Sequence, residues 1–146
     1  MNKVVLSLIM ILVSVQICVA DDYLGQLGGN RYNSDSTLNQ YGRGSRHDSN
    51  SINNTYGQYG SPYSNNSATS PYAQNAPKLY DSEGNYRGKL SANKYDPDST
   101  SNPYGRYGSK YSPDSINNEY GAGSKFRHDS PNNPYGSGWA IVGDDD

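Results

Sequence analysis

The chain has 146 residues, only 32% of them hydrophobic, with 12 basic side chains against 14 acidic ones and a formal net charge of −2. Lys and Arg are scattered singly or in pairs, so the positive footprint a nucleic-acid binder needs is absent. The single cysteine, Cys18, excludes an internal disulfide framework.

Residues 1–20 read as a secretory signal peptide. Lys3 supplies the positive start, "VVLSLIMILVSV" the apolar run, and Cys18 and Ala20 the small residues before cleavage between Ala20 and Asp21. This predicts a secreted or periplasmic protein, located in the cell envelope or beyond it. Once the signal is removed, no second apolar run long enough to span a bilayer follows. Cys18 leaves with the signal.

Residues 21–31 read as an N-terminal linker. Beyond Asp21 the large aliphatic side chains number nine: six leucines or isoleucines up to Leu90, then Ile116, Ile141 and Val142. At about 1.5–3 kcal/mol each, they cannot offset an ordering cost of about 1–2 kcal/mol per residue. Tyrosine, present 15 times, has to supply any core.

Two blocks, 32–77 and 92–139, carry a ten-residue phrase six times. The copies are "YNSDSTLNQY", "HDSNSINNTY", "YSNNSATSPY", "YDPDSTSNPY", "YSPDSINNEY" and "FRHDSPNNPY". Every copy keeps a serine (Ser36, Ser51, Ser67, Ser99, Ser115, Ser130) and a closing tyrosine (Tyr41, Tyr56, Tyr72, Tyr104, Tyr120, Tyr135). "SPDS" at 112–115 and "NPYG" at 102–105 and 133–136 are turn signals, with Pro second in each. The closing tyrosines are expected to pack, and the chain to be a mostly irregular, turn-rich repeat with little or no helix after the signal. Its low-complexity composition equally fits a largely disordered chain.

Between the blocks, Leu79-Tyr80 and Lys89-Leu90 flank a polar centre, so 78–91 reads as a short central β-hairpin turning at 81–84. Residues 140–146, ending in three aspartates, read as an acidic tail.

The run "YDSEGNYRGKLSANKYDPDSTSNPYGRYGSKYSPDSINNEYGAGSKF", continued by "DSPNNPYGSGW", resembles a segment shared by small exported bacterial proteins of unknown function. The resemblance covers about residues 80 to 139 and departs from that wording at Glu119, where proline is expected; the first three copies are looser, with Asn50 and Asn66 in place of Asp. It implies no activity, ligand or functional residue.

His47 and His128 both sit in "RHDS", but adjacent residues cannot converge as a triad, so no catalytic residue is expected. No cofactor and no metal site are expected either. Asp96 and Asp98 share one copy while 63–72 has no carboxylate, which favours Asx-turns over calcium ligation. The expected function is therefore non-enzymatic: tyrosine-bearing turns offered to a protein or glycan partner in the envelope. A calcium-responsive repeat and a plain flexible spacer are the alternatives.

Overall fold

Trp139-Ala140-Ile141-Val142 is the longest uninterrupted apolar run after residue 21, and it forms the centre of the protein. In the computed structural model, which describes residues 21–144, it belongs to strand β4 (Trp139–Asp144). The expected signal peptide lies outside the described residues. Strand β1 (Asp21–Leu27) pairs antiparallel with one side of β4, from Asp21 opposite Asp144 to Leu27 opposite Trp139. Strand β2 (Lys78–Tyr80) pairs antiparallel with the other side, Leu79 opposite Ile141. Strand β3 (Tyr86–Lys89) completes the sheet against β2, giving the order β1-β4-β2-β3.

Alternation along β4 buries Trp139 and Ile141 on one face. They join Leu24, Leu79, Tyr59 and Ala122 in one cluster, with Leu27, Ile52, Leu90 and Ile116 packed around it. Gly143 continues the buried face because it has no side chain: a Cβ there would sit 2.5 Å from the Tyr59 ring. Of the tyrosines, only Tyr59 and Tyr107 are buried.

The sheet has an internal two-fold relation. Exchanging β1 with β3 and β2 with β4 returns the same strand order read from the other end. Tyr23, Gly25 and Leu27 correspond to Tyr86, Gly88 and Leu90, and the resemblance continues through the residues that follow. The backbone repeats the relation. Gln26 N donates to Asp35 O as Lys89 N donates to Asp98 O, and Thr37 N donates to Gln26 O as Thr100 N donates to Lys89 O. Each edge strand is thereby bridged at one position, Gln26 or Lys89, by the segment that follows it. Gly25 and Gly88 adopt φ of 116° and 93°, and a Cβ on either would meet the carbonyl of Asp35 or Asp98 at 2.6 or 2.7 Å.

Outside the sheet the chain is built from linked turns. From Asn33 to Gly60, and again from Ser112 to Gly136, every third residue donates its N–H to the carbonyl three residues back. The first residue of most turns is Asn, Ser or Asp, whose side-chain oxygen accepts the N–H two residues on. Examples are Asn39 from Tyr41, Ser51 from Asn53 and Asp96 from Asp98. All eight prolines except Pro77 occupy the second place of such a turn, where their fixed φ is required.

These turns fall into six segments, 30–44, 45–60, 61–75, 93–108, 109–123 and 124–138, bonded to one another in a closed circuit. Asn53 Nδ2 donates to Thr37 O and Gly44 O, and Thr69 Oγ1 to Gly60 O. Asn93 Nδ2 donates to Ala73 O. Asn117 Nδ2 donates to Thr100 O and Gly108 O, and Asn132 Nδ2 to Ile116 O and Gly123 O. Asn30 N then donates to Gly136 O, joining the sixth segment to the first.

The expectation of an irregular, disordered, low-complexity repeat is thus overturned. A four-stranded antiparallel sheet, ion pairs, side-chain hydrogen bonds and an aromatic cluster fix one tertiary structure. The phrases that read alike are not a string of independent modules, since each is tied to its neighbours and to one sheet. Aliphatic burial is supplemented here by polar cohesion. Asn, Ser and Asp side chains satisfy backbone groups that would otherwise need water.

Candidate functional site

The recurrent serines and tyrosines occupy opposite environments. Ser36, Ser51, Ser67, Ser99, Ser115 and Ser130 are at most 1% exposed. Ser36 Oγ donates to Gly28 O and Ser99 Oγ to Ser91 O, so a small hydroxyl fills each tight interior place and pairs there. The closing tyrosines Tyr41, Tyr56, Tyr72, Tyr104, Tyr120 and Tyr135 are 84% to 97% exposed. They do not pack. The opening side chains Tyr32, His47, Tyr63, Tyr95, Tyr111 and Phe126 are exposed as well.

On the first segment the outward rings border a groove. Three depressions of about 520, 1250 and 390 Å³ each have Leu38 in their lining and adjoin there. Tyr135 and Tyr32 stand at the seam with the sixth segment, Tyr41 beside Leu38, and Tyr56 at the end toward the second segment. Leu38 is 54% exposed. In the second half its place is taken by Ser101, an exposed serine whose Oγ donates to Ser91 O, so the leucine is peculiar to the first half.

The rings stand on fixed backbone. The amides of Tyr32, Tyr41, Tyr56 and Tyr135 each donate to the Oδ1 of the asparagine two residues earlier. Asn39, Asn54 and Asn133 in turn donate from Nδ2 to the carbonyls of Asn33, Asp48 and Arg127. The sequence signal for this was the Asn two places before the closing tyrosine. Leu38, the one exposed aliphatic in its position, was missed.

A second cluster is internal. Arg87 on β3 donates from Nε and Nη2 to Asp81 Oδ2 at 3.1 and 2.9 Å, and from Nη1 to Asp114 Oδ1 at 3.0 Å. Its guanidinium lies 5.9 Å from the Trp139 ring centre. Burial raises the Asp81 pKa, but hydrogen bonds from the Asn85 amide, Arg87, the Asn85 side chain and the Glu83 amide outweigh it and hold the group below its ordinary value. Asp114 is lowered chiefly by its hydrogen bond from Arg106, with burial opposing. These groups are mutually satisfied and present no reactive atom.

Ser82, which sequence reasoning did not single out, meets both members of the second "RHDS". Its Oγ donates to Asp129 Oδ2 at 2.9 Å and lies 3.4 Å from His128 Nε2. A nucleophilic triad has the histidine between serine and carboxylate. Here the carboxylate takes the serine proton directly and also accepts the Ser82 amide, so the group braces the hairpin turn. Burial pushes Asp129 up, and these bonds with Arg127 more than reverse it.

Tyr80, Tyr86 and Tyr107 form an aromatic row, with ring centres 5.8 and 5.3 Å apart. The Tyr86 hydroxyl donates to Asp98 at 3.1 Å. Burial, then Asp98, push its pKa well above the ordinary phenol value.

Among the described residues no group of three or more His, Cys, Asp or Glu is placed to hold a metal ion, and no helix is long and apolar enough to cross a membrane. Comparison with protein-family models, curated proteins and solved structures gave no match.

The expectation of a disordered run of independent tyrosine-bearing turns is overturned, as are the calcium-responsive repeat and the flexible spacer. The chain is a folded, tertiary-packed β domain. The oxygen ligands a calcium-responsive chain would keep free already cap turns, as Asp48 does for Asn50 and Asp96 for Asp98.

Proposed function

We propose that the protein is a non-catalytic glycan-binding domain that holds an extended polysaccharide along the groove of its first segment. The observation that carries this reading is the grouping of Tyr32, Tyr41, Tyr56 and Tyr135 around Leu38 on backbone already fixed by Asx-turns. The C–H face of a pyranose packs on a flat ring by dispersion and by attraction to its negative face. Tyrosine offers that ring with little rotamer entropy to lose and a hydroxyl for sugar oxygens. An open groove suits a chain passing through rather than a small molecule enclosed. Asn39 and Gln40 supply amides at its wall. Export directed by residues 1–20 would carry the domain to where polysaccharides are encountered.

Affinity electrophoresis through gels containing soluble polysaccharides, followed by calorimetry on those that retard the protein, tests the reading. Tyr32→Ser/Tyr41→Ser should weaken binding by roughly tenfold, about 1.4 kcal/mol. Tyr95→Ser/Tyr104→Ser, the corresponding change in the second half, should leave binding as it was. Equal losses from both, or no retardation by any polysaccharide, would refute it.

A further inference from the structure

We infer that the glycan taken by this groove is a polyanion bearing carboxylates on successive sugars, an inference that rests on the glycan-binding reading. The groove is basic although the chain has more acidic than basic residues. Arg31 lines the depressions at the sixth-segment seam and Arg46, with His47, the depression toward the second segment, so a cation stands at either end of the Leu38 floor. No Asp or Glu lines any part of it.

The other arginines of the described chain are committed. Arg43 pairs with Asp35, Arg87 with Asp81 and Asp114, Arg106 with Asp114, and Arg127 with Asp129. Arg31 and Arg46 are exposed and stand in no ion pair with a described residue. The acid nearest Arg46 in sequence, Asp48, accepts from the Asn50 amide, and that nearest Arg31, Asp35, pairs with Arg43.

Two unpaired guanidinium groups flanking an aromatic floor match a polymer whose charge recurs while its rings stack between charges. A guanidinium engages a carboxylate with two parallel N–H donors, which an ester or a hydroxyl cannot match. The second half has Lys94 and Lys110 at the corresponding positions but lacks the leucine floor, so it carries cations without the stacking surface.

Polygalacturonate and its fully methyl-esterified form share one backbone and differ only in the methyl ester that removes each carboxylate charge. The full-length mature protein should bind the free acid about tenfold more tightly than the ester, a preference that shrinks as salt rises. Arg31→Gln/Arg46→Gln should abolish the preference, bringing the affinity for the acid down to that for the ester. The same comparison with alginate guards against a mismatch in sugar geometry. Ester bound as tightly as acid, or a preference that survives Arg31→Gln/Arg46→Gln, would overturn the polyanion inference and leave the glycan reading standing. If neither form of either polymer, nor any neutral glycan, is bound, the glycan reading itself fails. Tighter binding of oligothymidylate than of any polyuronate would overturn the inference in favour of a nucleic acid.

Discussion

Arg87 on β3 stands where Leu24 stands on β1. Leu24 is buried in the apolar cluster, whereas Arg87 is held between Asp81 and Asp114 beside Trp139. Side-chain exposure is 11% for Arg87 and 1% for Asp81. Replacing Arg87 by Leu would mimic the first half in shape but leave Asp81 buried without its cation. A loss of about 3 kcal/mol or more in urea unfolding is expected, because an uncompensated buried charge costs more than the ion pair contributes. A loss below about 1 kcal/mol would show that Asp81 is satisfied by Asn85 alone.

Asp81, Asp114 and Asp129 are all held below the ordinary carboxylate value in the folded chain. Their contribution is complete above the unfolded pKa of about 3.9 and is lost as pH falls through the lower folded values. Stability should therefore be level from about pH 5 to 8 as far as these groups are concerned, and should fall below about pH 4. Tyr86 and Tyr23 are shifted upward by burial first, so the unfolded chain ionises before the folded one and stability should also fall above about pH 10. Urea midpoints across this range check both arms; stability that rises between pH 5 and 3 would contradict the assignment.

How much of this was legible in the sequence depends on range. The β2–β3 pairing and its turn are made by residues within 78–91, with Gly84 at φ of 83°, so their signals lie side by side. β1 and β4 were not legible. Each contains Gly and Asp, and the pairing of β1 with β4 joins opposite ends of the described chain. The constancy of the serines and closing tyrosines was visible, but not that one set points in and the other out. Ring area suggests burial for tyrosine and polarity suggests exposure for serine. The close approach of successive turns decides otherwise, admitting a hydroxyl and excluding a ring. Of the groove, its tyrosines were visible as a pattern, whereas the seam that joins the sixth segment to the first was not.

That inversion has a direct consequence for stability. Ser99→Ala removes the buried bond to Ser91 O and the acceptor for the Ser101 amide, and should cost about 1–2 kcal/mol. Tyr104→Ser changes a ring facing solvent and should stay within about 0.5 kcal/mol of the parent. Thermal and urea unfolding of the two variants side by side would expose a reversed order.

The bonds between segments can be probed with a single atom. Asn117 Nδ2 donates to two carbonyls of the preceding segment, at 3.0 and 2.9 Å. Asn117→Ala should cost about 1 kcal/mol, and Asn117→Asp more, because a carboxylate has no proton to give and faces two carbonyl oxygens. Equal stability of the Asp variant and the parent would mean that the contact contributes nothing.

Native-state amide hydrogen exchange on residues 21–146 tests the ordered scaffold most directly, since without it the rings have no fixed spacing. The turn amides of Ser51, Ser115 and Ser130 and the amides of β4 should exchange only through global or near-global opening. Exchange at free-peptide rates across 30–75 and 93–136, with protection confined to the hairpin, would contradict the account.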